Sequence, residues 1–177
     1  MDESVFHRIY EEYHQDVYRF LIYLTKDRML SEDLLHEVYV RVLKSYGNFQ
    51  GKSSERTWLF SIARNVAFDH FRRSSVRRKR TDESFDWDTE QPADRGPTPE
   101  EAAVHGDEMI GLFKVLDDCT EDQRMVLIMR FLQELSIAET AEVLGWTEAK
   151  VKTTQHRALK KARELLEVSD GRGGGGR

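Results

Sequence analysis

Between Ser136 and Arg163 the chain reads S-I-A-E-T-A-E-V-L-G-W-T-E-A-K-V-K-T-T-Q-H-R-A-L-K-K-A-R. Few folds accommodate that order of caps, small residues and bases. Ser136 with Glu139 three residues later makes a capping box, so a short helix starts there. Ile137, Ala141 and Leu144 share one face of it. Gly145 ends the helix, since glycine reaches positive φ without a Cβ clash. Thr147 caps a second helix with the apolar stripe Val151, Ala158, Leu159, Ala162 and Leu166. A small residue at 141, a turn glycine at 145 and an anchor at 151 suit two steeply crossing helices. The pattern predicts a helix-turn-helix.

The outer side of the second helix carries Lys150, Lys152, Arg157, Lys160, Lys161 and Arg163, with Glu148 at its start. An acid in the first turn and bases in the last suit the helix dipole. The basic face also matches phosphate oxygens, with Thr153, Gln155 and His156 set among the charges to reach base edges. A solvated, lysine-rich surface helix is the alternative.

The net charge of −5 argues against nucleic acid until its distribution is considered. Residues 1–80 hold 15 basic and 11 acidic side chains, and residues 109–177 hold 11 of each. Residues 81–108 hold 1 basic and 10 acidic side chains, so the acid excess sits in the middle. Both ends are left with local basic faces. At 177 residues the chain makes one ordinary domain or two small ones. No apolar run approaches the ~18 residues of a membrane span, and Met1-Asp2-Glu3 begins no signal peptide. The single cysteine, Cys119, forms no internal disulfide and fits a reducing cytosol. The six histidines show no paired ligand spacing, so neither a metal nor a cofactor is predicted.

In chain order, Val5, Phe6, Ile9, Tyr10, Tyr13, Val17, Phe20, Leu21 and Leu24 predict a first helix from Asp2 to Leu24. Ser31 is the predicted cap of a second, with Leu34, Leu35, Val38, Val42 and Leu43 inward. Its other face carries Glu32, Asp33, His36, Glu37 and Arg41, charges that solubility alone would explain. After the Gly- and Ser-containing break 45–55, a third helix buries Trp58, Leu59, Ile62, Ala63, Val66 and Ala67. Arg64, Asn65, Arg72 and Arg73 point outward. Six of the nine residues from Arg72 to Arg80 are Arg or Lys, suiting either phosphate binding or a basic linker. The acidic tract from Thr81, with all three prolines, reads as a flexible linker in which Phe85 and Trp87 stand out. Helical pattern returns at Met109, Ile110, Phe113 and Leu116. Thr120 with Gln123 makes a second capping box before Val126, Leu127, Phe131 and Leu132. The expected fold is all-α: two small helical domains, 1–80 and 108–168, an acidic linker 81–107, and a disordered Gly-rich tail 169–177.

With these residues in place the chain resembles the extracytoplasmic-function (ECF) sigma factors of the sigma-70 family, over essentially Val5 to Leu166. Three passages carry the resemblance: Ser31-Glu32-Asp33-Leu34-Leu35-His36-Glu37-Val38; Thr57-Trp58-Leu59 through Ile62-Ala63-Arg64-Asn65 to Asp69 and Arg72; and the helix-turn-helix. Phe85-Asp86-Trp87-Asp88 and Lys150 to Arg157 are similar to the sigma-X type of Gram-positive bacteria.

The resemblance implies a cytoplasmic bacterial transcription initiation factor that is not itself an enzyme. It places a sigma region 2 domain before the linker and a sigma region 4 domain after it. Asp33, His36 and Glu37 become contacts to the β′ clamp helices of core RNA polymerase, with His36 standing where Gln is common. The β flap is a second polymerase contact. The loop Phe49 to Arg56 and the third helix correspond to the promoter-melting region, where the family captures an unstacked base of the minus-10 element at a cost of a few kcal/mol that demands a preformed pocket. Asn65 is the candidate for base or sugar contact, Arg64, Arg72 and Arg73 for the strand, and Trp58 for core packing first and DNA second. Lys152, Thr153, His156 and Arg157 are candidates for reading the minus-35 duplex, with Lys150 and Lys160 on its backbone. An anti-sigma factor, in many family members membrane-bound, and a role in cell-envelope stress are further implications. A conventional helix-turn-helix regulator with an N-terminal sensor or dimerisation domain is the competing reading.

Overall fold

Asp2 opens the first helix, its carboxylate accepting from the Ser4 amide at 3.4 Å. The computed structural model describes residues 2–81 and 111–171, with side chains over 2–77 and 111–168. Every regular element among them is helical. They divide into two units, one on each side of the stretch 82–110.

The first unit holds α1 (Glu3–Thr25), α2 (Arg28–Ser45), a short 3₁₀ turn (Tyr46–Asn48) and α3 (Glu55–Thr81). α2 packs on both α1 and α3. The core is Val17, Phe20 and Leu21 from α1, Leu34, Val38 and Val42 from α2, and Leu59, Phe60, Ala63 and Ala67 from α3. Phe20 meets Phe60 edge to face, with ring centroids 5.6 Å apart, a preferred aromatic geometry.

The second unit holds α4 (111–118), α5 (Glu121–Leu127) running into a π-helical turn (Ile128–Leu132), α6 (Ile137–Leu144) and α7 (Glu148–Gly171). Both predicted capping boxes are present, Thr120 with Gln123 and Ser136 with Glu139. Gly145 takes φ 67° at the end of α6, and the Trp146 amide donates to the Ala141 carbonyl at 2.9 Å. That is the glycine-ended helix stop the sequence demanded. Thr147 Oγ1 accepts from the Lys150 amide at 3.1 Å and so caps α7. Ala141, Val143, Leu144, Val151 and Ala158 are buried where α6 meets α7.

Several expectations change. The cap of α2 is Asp27, whose carboxylate accepts from Leu30 at 3.1 Å, not Ser31. Lys26 turns left-handed at φ 53°, so α2 follows α1 after two residues. Ser31 then lies fully buried in the first turns, its hydroxyl 2.7 Å from that of Thr25. Leu43, Leu159 and Leu166, expected inside, are exposed at 48%, 36% and 54%, and Phe131 of the apolar run after the Thr120 capping box is exposed at 48%. On α3 the fully buried aromatic is Phe60, while Trp58 is half-buried. The basic run reaches Thr81 as continuous helix, and α7 extends to Gly171, into the supposed tail. The acidic linker with Phe85 and Trp87, the pattern at Met109 and Ile110, and residues 172–177 lie outside the described residues.

Candidate nucleic-acid interface

Burial of Val151 and Ala158 against α6 and α5 decides which way α7 faces. Lys152, Thr153, His156, Arg157 and Lys160 are left exposed, and none makes an ion pair with another described residue. Two of the predicted polar positions are engaged within the fold. Gln155 accepts from Arg130 Nε at 2.9 Å, and Arg130 also donates to the Leu135 carbonyl. Gln155 therefore ties α7 to the π turn rather than facing outward with Thr153 and His156. The Lys150 ammonium lies 3.7 Å from the centroid of the Trp146 ring and 3.7 Å from Asp122 Oδ2. A lysine held over an indole keeps its charge but loses reach.

In the first unit Asn65 lines a pocket of about 280 Å³ with Arg41, Lys44, Ser45, Asn48 and Ile62. Its volume lies just under the ~300 Å³ at which small-molecule sites begin. Arg41 is fixed on the wall: its Nε donates to Glu37 Oε1 at 2.9 Å and its Nη1 to Asp69 Oδ2 at 3.0 Å. Arg72 joins Asp69 at 2.8 Å. The hydrogen bond from Arg41, aided by the charges of Arg41, Arg72 and Arg73, holds the Asp69 carboxyl below its usual range. The lining thus combines polar and charged side chains with one apolar one, Ile62, a mixture that can meet both the edge and the face of a base.

Arg64 stands beside the pocket rather than free. Its guanidinium lies 4.5 Å from the Phe68 ring centroid and donates to Asn65 Oδ1 at 3.1 Å. Asn65 is thereby left with its amide donors available. Arg73 is exposed on the same helix. Trp58 forms a cluster with Tyr46 and Phe49, at centroid separations of 5.8 and 5.0 Å. Asp33, His36 and Glu37 share one exposed face of α2, as i, i+3, i+4 spacing requires.

Sequence reasoning missed Arg41, Lys44, Ser45 and Asn48 as pocket residues. Arg41 and Lys44 look like ordinary surface charges, and only the approach of α2 to α3 gives them a shared cavity. Among the described residues no group of three or more His, Cys, Asp or Glu is placed to hold a metal. No helix among them is long and apolar enough to cross a membrane.

Comparison with known proteins assigns both units. Residues 9–77 match the Sigma-70 region 2 family and residues 120–161 match Sigma-70, region 4. The chain is 51% identical to the ECF RNA polymerase sigma factor SigX of Bacillus subtilis, over 94% of this chain and 86% of that protein. It is 33% identical to the ECF RNA polymerase sigma factor BldN of Streptomyces coelicolor, over 93% of this chain and 61% of that longer protein. In fold it resembles the sigma factor RpoE of Bartonella quintana, solved in complex with the anti-sigma factor NepR. The TM-score is 0.72 at 22% identity, covering 92% of this chain and 97% of that one. Two sigma-70 regions in the right order, on the two units just described, establish that the chain belongs to the extracytoplasmic-function RNA polymerase sigma factors of the sigma-70 family.

Proposed function

We propose that the two units divide promoter recognition between them, the first taking one unstacked minus-10 base and the second reading the minus-35 duplex. The observation that carries this reading is the contrast between the two surfaces. One is a concave pocket lined by Asn65 and Arg41; the other is an open helix face bearing Lys152, Thr153, His156 and Arg157. A pocket suits an extruded base; a helix behind a glycine turn suits the major groove. Arg72 and Arg73 hold the strand backbone beside the pocket, with Arg64 orienting Asn65 and Trp58 at the edge. Lys150 and Lys160 add charge towards the minus-35 phosphates.

Asp33, His36 and Glu37 dock on the β′ clamp helices of core polymerase, and the second unit meets the β flap. The polymerase supplies the chemistry, the sigma factor being a non-catalytic partner in the cytoplasm. A cognate anti-sigma factor, as RpoE has in NepR, would cover these same surfaces.

Run-off transcription by core polymerase, with and without the chain, tests the reading. Initiation from a defined start only when the chain is present is the predicted result. Tight dimeric binding to duplex DNA without polymerase association would instead favour a conventional regulator.

A further inference from the structure

The connection from α2 to α3 borders the pocket at Asn48. It leaves α2 through the 3₁₀ turn Tyr46–Asn48, passes Gly51 at φ 65° and re-enters helix at Glu55. Asn48, a pocket residue, sits in that turn. At the far end Ser54 caps α3, its Oγ accepting from the Thr57 amide at 3.1 Å. Between the two ends Lys52 and Gly51 are exposed, and Phe49 is the one apolar side chain.

Three elements meet on one carboxylate here. Glu55 Oε2 accepts from Arg8 Nη1 at 2.8 Å and Oε1 accepts from Arg8 Nη2 at 2.8 Å, a bidentate pair reaching across from α1. The Tyr46 hydroxyl donates to the same Oε1 at 3.0 Å. A bidentate guanidinium–carboxylate pair fixes direction as well as distance. Glu55 therefore ties the start of α3 to α1 and to the turn that carries Asn48. The ring of Tyr46 in turn packs 5.9 Å from Phe49 and 5.8 Å from Trp58. The hydrogen bond from Arg8 keeps the Glu55 carboxyl below its ordinary range.

We propose that Glu55, held by Arg8 and gripping Tyr46, is a positioning residue that sets the loop wall of the minus-10 pocket and so governs how well the unstacked base is captured. This rests on the base-capture reading above. Glu55 itself does not line the pocket; it acts through Tyr46 on Asn48, two residues on. Arg8 acts one step further back, from a helix with no residue in the pocket lining.

The test uses the full chain with core polymerase on three promoter templates: duplex, pre-opened across the minus-10 element, and pre-opened with the captured base removed to leave an abasic site. Open-complex formation and polymerase affinity are measured for wild type, Glu55→Gln and Tyr46→Phe. On the intact pre-opened template Glu55→Gln should bind about fivefold more weakly, the upper range for a partly exposed ion pair, and Tyr46→Phe should follow with a smaller loss. On the abasic template both variants should match wild type, while polymerase affinity stays unchanged on its own. A deficit that persists undiminished on the abasic template would mean a merely structural role and overturn the proposal. So would wild-type binding by both variants on the intact template. If wild type itself ignores loss of the base, base capture fails, independently of Glu55. Should Glu55→Gln fold poorly, Tyr46→Phe, which removes one hydroxyl, decides the matter by the same comparison.

Discussion

A base contact and a phosphate contact differ in what their loss does, and the roles proposed for α7 include both. Arg157 is exposed with no ion pair to another described residue, so its guanidinium is available for bidentate readout of guanine. Arg157→Ala should cost ~1–3 kcal/mol of discrimination at one minus-35 position while leaving unrelated sequences little affected. Lys160→Ala should weaken binding to every sequence alike and lower the salt slope by about one. Filter binding across salt concentrations checks both. Equal losses from the two substitutions would remove the assignment of Arg157 to base reading. The carboxylates behave differently. Glu55 and Asp69 both titrate below their ordinary values, each chiefly through an arginine hydrogen bond. A group depressed on folding stabilises the fold above its unfolded value and loses that contribution as pH falls through the folded one. Glu55→Gln should therefore melt below wild type at neutral pH, with the gap closing in strong acid.

At the scale of elements, the helix-turn-helix rests on its caps. Ser136→Ala removes the acceptor for Glu139 and should cost about 1 kcal/mol. At Gly145 a Cβ would meet nothing within 4 Å, so Gly145→Ala should cost only the left-handed backbone penalty, ~1–2 kcal/mol. Thermal melts of the full chain check both. Asparagine at 145 should recover part of the loss, and a larger cost would point to crowding the structure does not show. These elements were legible because capping boxes and turn glycines act within four residues. Less local features were not. Ser31 has the look of a cap, but Lys26 turning left-handed lets Asp27 take that role first. The π turn at Ile128–Leu132 swings Phe131 outward, which a 3.6-residue period does not anticipate. Leu159 and Leu166 lie on a stretch of α7 that its neighbours only partly cover. The pocket needed α2 and α3 brought together before Arg41, Lys44 and Asn48 could be seen as one site.

For the whole molecule, the polymerase must hold two DNA-binding units at the separation of two promoter elements. Asp33, His36 and Glu37 carry the proposed grip of the first unit, and they are unequal. Asp33 shows no hydrogen bond or ion pair to another described residue, whereas Glu37 also holds Arg41 on the pocket wall. Asp33→Ala should reduce core-polymerase affinity and leave binding of the melted strand by the assembled complex intact. Glu37→Ala should impair both, since it removes one of the two carboxylates that hold Arg41, leaving only Asp69. Competition against a labelled sigma factor, paired with strand binding, separates the two effects. Identical behaviour of the two variants would break the proposed link between the docking face and the pocket.

The most direct measurement of divided recognition crosses protein and promoter changes. Transcription by core polymerase is measured for wild type, Asn65→Ala and Arg157→Ala on promoters altered at the minus-10 element, the minus-35 element or neither. Asn65→Ala should be indifferent to the minus-10 change yet fully sensitive to the minus-35 change, and Arg157→Ala should show the reverse. Losses that simply add for every pairing would contradict the assignment of one element to each unit.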